Sequence, residues 1–390
     1  MSMPPTSPRS TRRAQRRRHA RRRIALTGAG LAVVVVAAVG ALALSGSNDS
    51  GVSATPRKPK VTTTTLPPTT TTTRDPRRGN GTAVTFAFAG DMHFEGVLRT
   101  KLASDPAGMF APIAPVLSSV DIAVVNLESA ITEQNTPIPK QFNFKSPPAG
   151  LLAFQAAGID VVNQANNHSI DFGEPGLADT LAAKAASPIP VIGVGANAND
   201  AYTPFTTEVR GQRIAIFGAT DVMGEEHVAP WTATDAKPGI ASTKYESEAR
   251  MIASIQFIRP AVDTVVVFLH WGVERIGCAT DRQKALARAL VDAGADIVVG
   301  SHAHQLEGAG RLGTAFVGYG LGNFAFYNET GEYGRTGVLK VTITGRDTDA
   351  YEWVPARIRG GIPTPLAPGA EYDAEVAHWN ELRACTDLTP

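Results

Sequence analysis

Cysteine is scarce: two in 390 residues, which excludes a small domain built on a disulfide scaffold. A surplus of one charge sign is also missing. With 37 basic and 36 acidic side chains the formal charge is +1, which argues against a nucleic-acid-binding protein. No repeat of solenoid period occurs, so a stacked-repeat architecture is excluded. Hydrophobic residues, by contrast, make up 43% of the chain, and its length suffices for a full α/β core.

The neutral balance is a cancellation. Residues 1–81 hold 15 Lys/Arg and 2 Asp/Glu, or +13, so the other 309 residues carry −12. Nine arginines and no acids lie between Arg9 and Arg23. Residues 24–44 then run 21 positions without a charge. As a helix, such a run spans about 30 Å of hydrocarbon, and the arginines before it would stay cytoplasmic. Ala41-Leu42-Ala43 has the small-x-small form of a signal-peptidase site, but the run is long for a signal h-region. The reading is therefore an uncleaved signal anchor with residues 1–23 in the cytoplasm. It predicts a single-pass protein of the cell membrane whose main domain is extracytoplasmic. A basic segment abutting a membrane run signals topology, so no nucleic-acid partner is expected. Residues 45–81, with Pro67-Pro68 between two threonine runs, cannot bury apolar surface and read as a disordered linker or stalk. Arg77 and Arg78 within it read as solvating charge.

From residue 82 to 390 short apolar runs alternate with helical patterns. Strands are expected at 83–89, 122–126, 160–164, 190–193, 214–218, 264–270, 296–300 and 314–319. Most are continuous β-branched runs, as in strands covered on both faces. Helices are expected at 149–157, 175–186, 246–258 and 282–293, with Gly158 and Gly294 as C-terminal caps. Beyond 315 only strands are expected, at 338–344 and 351–359. This order indicates one α/β domain with mixed sheets.

Polar residues cluster just past these strand ends, where open α/β sheets bind ligands. Gly90-Asp91-Met92-His93, Asn126-Leu127-Glu128, Ala165-Asn166-Asn167-His168, His270 and Gly300-Ser301-His302-Ala303-His304 each follow a strand. Any one of them fits ordinary hydrogen-bonded structure. Together they supply nitrogen and oxygen donors for two metal ions. No cysteine lies among them, which favours a hydrolytic over a structural centre. Two ions about 3.5–4 Å apart need a bridging carboxylate, lower the pKa of water to about 7, and suit in-line attack on phosphorus.

In this order the motifs resemble the calcineurin-like metallophosphoesterases, with D-x-H, an acidic bridge, N-H, a lone H and G-x-H-x-H. More narrowly the chain resembles the CapA family of capsule (poly-γ-glutamate) synthesis. The stretches GDMHFEG, VVNLESAIT, FNFKSPP, GIDVVNQANNHSIDFGEPGL, VFLHWGVE, AGADIVVGSHAHQLEG and YGLGNFAF carry the likeness in order from position 90 to 326. The resemblance implies an αββα sandwich of two mixed sheets and a cofactor of two divalent metal ions (Mn, Fe, Zn or Mg). Asp91, His93 and His304 would hold one ion, Asn167, His270 and His302 the other, and Glu128 would bridge. His168 would be the general acid. N-L-E replaces the G-D-x-x-D of the wider superfamily, as in other CapA proteins, and His-Ala-His stands where His-Pro-His is common. The implied function is a two-metal phosphoester hydrolase of envelope-polymer synthesis. A non-catalytic scaffold or polymer-binding subunit of a membrane synthase complex is the alternative.

Asp171, three residues on, would orient His168. Lys145 and Arg275 are candidates to hold an anionic polymer or phosphoester substrate. Trp271 reads as packing beneath His270, Asn323 as a turn residue or as a hydrogen-bonder behind a ligand, and His227 as exposed. Cys278 and Cys385 could pair outside the cytoplasm, closing a loop of 107 residues. Sequence separation sets no distance, so bridge and free thiols both remain open.

Overall fold

The computed structural model describes residues 75–390. The run at 24–44 and the linker up to 74 lie outside these residues. Among the described residues no helix is long and apolar enough to cross a membrane. Residues 75–81, the end of the expected linker, are tied onto the domain. Arg78 pairs with Asp347 and Asp349 at 3.1 and 3.3 Å, and Gln212 donates to the Arg78 carbonyl at 3.0 Å. Arg78 is thus an anchoring contact and not free solvating charge.

Two mixed sheets form the centre. In the eight-stranded sheet Val84–Met92, Ile122–Leu127, Val161–Asn163 and Val191–Ile192 run parallel. Arg335–Thr344, Asp347–Arg359 and Ile362–Pro365 extend it antiparallel on the other side of Val84–Met92. In the six-stranded sheet Gln212–Thr220, Thr264–Trp271, Ile297–His302 and Ala315–Gly318 are parallel. Antiparallel edges are formed by Phe205–Val209 and Ala309–Leu312.

Period-two alternation decides which face each side chain covers. Phe86 and Phe88 meet Ile214, Ile216, Val266 and Phe268 in one core, which lies between the sheets. Ala87 and Ala89 point away and pack with Leu98, Phe154 and Leu177 of the helices Val97–Ser104, Ala149–Ala156 and Gly173–Ala186. On the far side Val265, Val267 and Leu269 pack with Met251 and Ile255 of Ser247–Ile258 and with Leu286 and Leu290 of Asp281–Ala293. The layers run α/β/β/α, as expected.

The helix ends follow their local chemistry. Thr280 and Gln283 form a reciprocal capping box, and Gly294 closes that helix at φ 117°. The helix Ala370–Glu381 corrects the strand-only reading of the C-terminus. Its inward face amounts to little more than Glu375 and Trp379, too sparse to show a helical period. Cys278 and Cys385 are bridged, with Cα atoms 5.5 Å apart, which pins the C-terminal segment to the loop after His270.

Candidate metal centre

Every parallel strand of both sheets ends toward the same edge, and the polar motifs converge there. Asp91 lies at the end of its strand, opposite Asn126 on one side and Asn323 on the other. The approach is tight at Gly90, where a Cβ would meet the Gly322 carbonyl oxygen at 1.9 Å. Glycine is therefore required, and Asp91 N–H donates to that same oxygen at 2.9 Å.

Asn126 is the hub beneath the site. Its amide nitrogen donates to Asp91 Oδ1 at 2.7 Å and faces His270 Nδ1 at 3.1 Å, while its oxygen accepts from Asn163 at 2.9 Å. Asp91 Oδ2 accepts from the His302 N–H at 2.9 Å. His302 and His304 have φ of 112° and 55°, uncommon for residues with a Cβ. Such backbone costs on the order of 1–3 kcal/mol per residue and clusters at functional sites. Here it turns both rings of G-x-H-x-H inward.

The ligand atoms gather in overlapping groups, each within 4.8 Å: Glu128, His270 and His302; Asp91, Glu128 and His304; and Glu274, His302 and His304. Glu128 belongs to the first two groups, the place of a bridge. Asn167 Oδ1 lies 2.7 Å from His270 Nε2, which brings it to the first group. His93 is buried beside the cluster but falls outside these groups. Glu95 N–H donates to its Nδ1 at 3.0 Å, and its ring packs on Phe144 and Phe326.

Burial shapes the electrostatics. It raises the Glu128 carboxyl well above its ordinary value, and the charge of Asp91 adds to this. Burial also pushes Asp91 up, but the hydrogen bond and charge of His270 and the charge of His304 outweigh it and hold that carboxyl below the usual range. Burial, with His168 and His304 nearby, lowers His93 to about 3. His270 and His302 are likewise lowered by burial. Neutral imidazoles offer lone pairs, and both oxygens of fully buried Glu128 have no hydrogen-bond partner. A buried carboxylate without donors is costly unless a cation meets it, so the donor set fits divalent ions.

His168 stands at the rim of this group. Its Nδ1 is 2.6 Å from Asp171 Oδ2 and its Nε2 is 3.8 Å from Glu128 Oε1. Burial lowers its pKa to about 4 against the opposing pull of Asp171. Phe144 stacks on the His168 ring at 4.2 Å. His304 Nδ1 faces Asn323 Oδ1 at 2.8 Å, so Asn323 supports a ligand from behind. Trp271 is buried and donates to the Tyr319 carbonyl, a packing role.

The structure places three further residues, of which His227, expected to be exposed, is a correction. Lys145 is not turned to the site: its ammonium contacts the Gln134 carbonyl and Asn135 Oδ1 at 2.6 and 2.9 Å. The lysine that reaches the site is Lys140, 2.7 Å from Asp171 Oδ1. Four residues of irregular chain separate the two, and no periodicity reveals which one points inward. Arg275 is exposed, and its N–H, donating to the Ala303 carbonyl at 2.9 Å, is what links it to the site. His227 is half-buried and stacked on Trp231 at 4.1 Å, within the helix Glu225–Trp231. Glu274, inside the VFLHWGVE stretch, and Asn126, ahead of Glu128, are site residues whose motifs were visible but whose roles were not.

Residues 85–328 match the family described as bacterial capsule synthesis protein PGA_cap. The chain is 30% identical over 287 residues to the PGA biosynthesis protein CapA of Bacillus subtilis (strain 168), covering 72% of this chain and 73% of that protein. It is 30% identical over 263 residues to the capsule biosynthesis protein CapA of Bacillus anthracis, covering 66% of this chain and 63% of that one. Among solved structures it is similar to a hypothetical protein of Thermus thermophilus, at 17% identity and TM-score 0.44, over 70% of this chain and 99% of that one. At that score the likeness fixes neither fold nor activity. The match over 85–328 and the Bacillus relatives place this chain in the bacterial capsule synthesis (PGA_cap, CapA) family.

Proposed function

We propose that this protein is a membrane-anchored, extracytoplasmic, metal-dependent phosphoester hydrolase serving synthesis of a capsule or envelope polymer of poly-γ-glutamate type. The observation that carries the chemistry is Glu128, fully buried, without a hydrogen-bond donor on either oxygen, and shared by two ligand groups. The names of the Bacillus relatives support the polymer. Asp91, Glu128 and His304 would hold one divalent ion and Glu128, Asn167, His270 and His302 another, and such ions would supply Lewis-acid activation of water and charge neutralisation at phosphorus.

The remaining steps belong to the chain. Asp171 accepts from His168 Nδ1, so the neutral ring turns its Nε2 lone pair to the Glu128 side; an imidazolium formed by protonation there would be paired with Asp171 and would pass that proton to the departing oxygen. Phe144, stacked on that ring, limits its rotation and keeps water from its face. Asn126 locks Asp91 and Asn323 locks His304, so the donor set is preorganised.

The test is bound metal per chain and turnover of phosphomonoesters and phosphodiesters by the purified full-length protein, with and without Mn²⁺. Stoichiometric metal with turnover that chelation or His304→Ala abolishes is expected. Metal bound without turnover on any ester would favour a scaffold in a synthase complex.

A further inference from the structure

Residues 138–144 wrap around one carboxylate. Ile138 N–H donates to the Asp171 carbonyl at 2.9 Å, Phe144 N–H to Asp171 Oδ2 at 2.7 Å, and Lys140 Nζ to Asp171 Oδ1 at 2.7 Å. Lys140 Nζ also donates to the Asn167 carbonyl. The Trp231 ring lies 5.8 Å from the same ammonium, and the lysine side chain is 21% exposed.

We propose that Lys140 is a positioning residue for His168, acting through Asp171 and the Asn167 carbonyl; this rests on the hydrolase reading above. Asp171 is fully buried, and its two oxygens are divided. Oδ2 takes His168 Nδ1 and the Phe144 N–H, and Oδ1 takes Lys140. Without the ammonium, Oδ1 would be a buried carboxylate oxygen with its charge uncompensated. The carboxylate would then turn to share the remaining donors, and the direction of the His168 Nδ1 bond would be lost.

Lys140 does not hold the ring directly. Its Nζ is 3.2 Å from His168 Nδ1, but an ammonium and an Nδ1–H are both donors and cannot bond. Its second acceptor is the carbonyl of Asn167, whose side chain faces His270 at 2.7 Å. One cation therefore fixes the peptide between a metal-side residue and the proton donor. Trp231, from another part of the chain, lies over the ammonium at 5.8 Å and helps hold it in this place.

The test is leaving-group dependence. A residue acting through the general acid matters for an alkoxide leaving group, which needs a proton, and little for 4-nitrophenolate, which does not. Lys140→Met should lower kcat for an alkyl phosphoester at least about tenfold more than for the 4-nitrophenyl ester, with KM and bound metal little changed. Lys140→Arg should restore part of the difference. Should methionine prevent folding, Lys140→Gln keeps a donor without the charge and is expected to shift the ratio in the same direction. Equal losses on both esters, or no loss, would overturn the proposal. If wild-type protein hydrolyses neither ester, the hydrolase reading fails, and positioning is read from the His168 side-chain ¹H–¹⁵N spectrum. There the Nδ1–H signal should broaden or vanish in Lys140→Met and persist in Lys140→Arg; an unchanged signal in both would overturn it.

Discussion

His270 Nε2 lies 2.7 Å from Asn167 Oδ1, although the two residues are 103 positions apart and stand at the ends of strands of different sheets. The contact closes the edge of the sandwich. One sheet brings Asp91, Glu128 and Asn167, the other brings His270, His302 and His304, and neither set of donors is complete alone.

Glu128→Gln tests whether the centre is built for cations. The glutamine replaces a buried carboxyl that has no donor and whose ionised form burial penalises, so the metal-free variant should be at least as stable as wild type. Its stabilisation by added Mn²⁺ should disappear. Thermal unfolding with and without metal reads both, and a variant that keeps the full metal-induced shift would contradict the bridge.

Asn323→Leu removes the acceptor behind His304 and frees that ring to rotate. Loss of such a supporting bond lowers metal affinity by about 10–100-fold. Titration of the metal-free protein followed by calorimetry measures it; an unchanged affinity would show that His304 is held by other contacts.

Acid should destabilise the metal-free protein. Burial holds His93 at about 3 and His168 at about 4, and it lowers His270 and His302 too, against 6.5 for free imidazole. Unfolding lets each take up a proton that the fold excludes, so the unfolded state binds more protons below 6.5. Their contribution is present above 6.5 and lost as pH falls toward the folded values. Glu128 runs the other way, since its raised carboxyl gives stability that fades as pH rises above 4.5. Glu307, which burial raises to about 8, acts in the same sense as Glu128; the four imidazoles outweigh these two carboxyls, so the melting midpoint should fall from about pH 7 to about pH 5. A rise over that interval would refute the assignment of neutral buried rings.

The Cys278–Cys385 bridge spans 107 residues. Loop entropy for that span gives about 4–5 kcal/mol, and removal of a native bridge commonly costs about 2–5 kcal/mol. Cys278→Ser with Cys385→Ser should lose stability in that range on denaturant unfolding. Two free thiols in the native protein would refute the bridge outright.

Lys145→Ala should leave KM and kcat within about threefold, because its ammonium is bound to the Gln134 carbonyl and Asn135 and not to the site. Steady-state kinetics decide it, and a large rise in KM would restore the residue to substrate binding.

The continuous apolar strands, the capped helices at 149–157 and 282–293, and the order of polar motifs depend on residues within a few positions of one another. Two elements carry little local signal. The edge strand Phe205–Val209 has no fully buried residue, and the helix Glu225–Trp231 carries Pro230 in its last turn. At the site, the motifs named most of the converging donors. They did not show that Asn126 ties Asp91 to His270, or that Glu274 joins His302 and His304.

The sequence by itself determined the alternation of strands and helices and the strand ends at which donors stand, since both follow from short-range apolar pattern. Only the tertiary structure decided that Lys140 and not Lys145 meets Asp171, that Glu128 is left without a donor, and that the cysteines meet. The reason is physical. Which way an irregular loop turns, and which buried oxygen lacks a partner, depend on groups tens to hundreds of residues away that come together only when the two sheets pack.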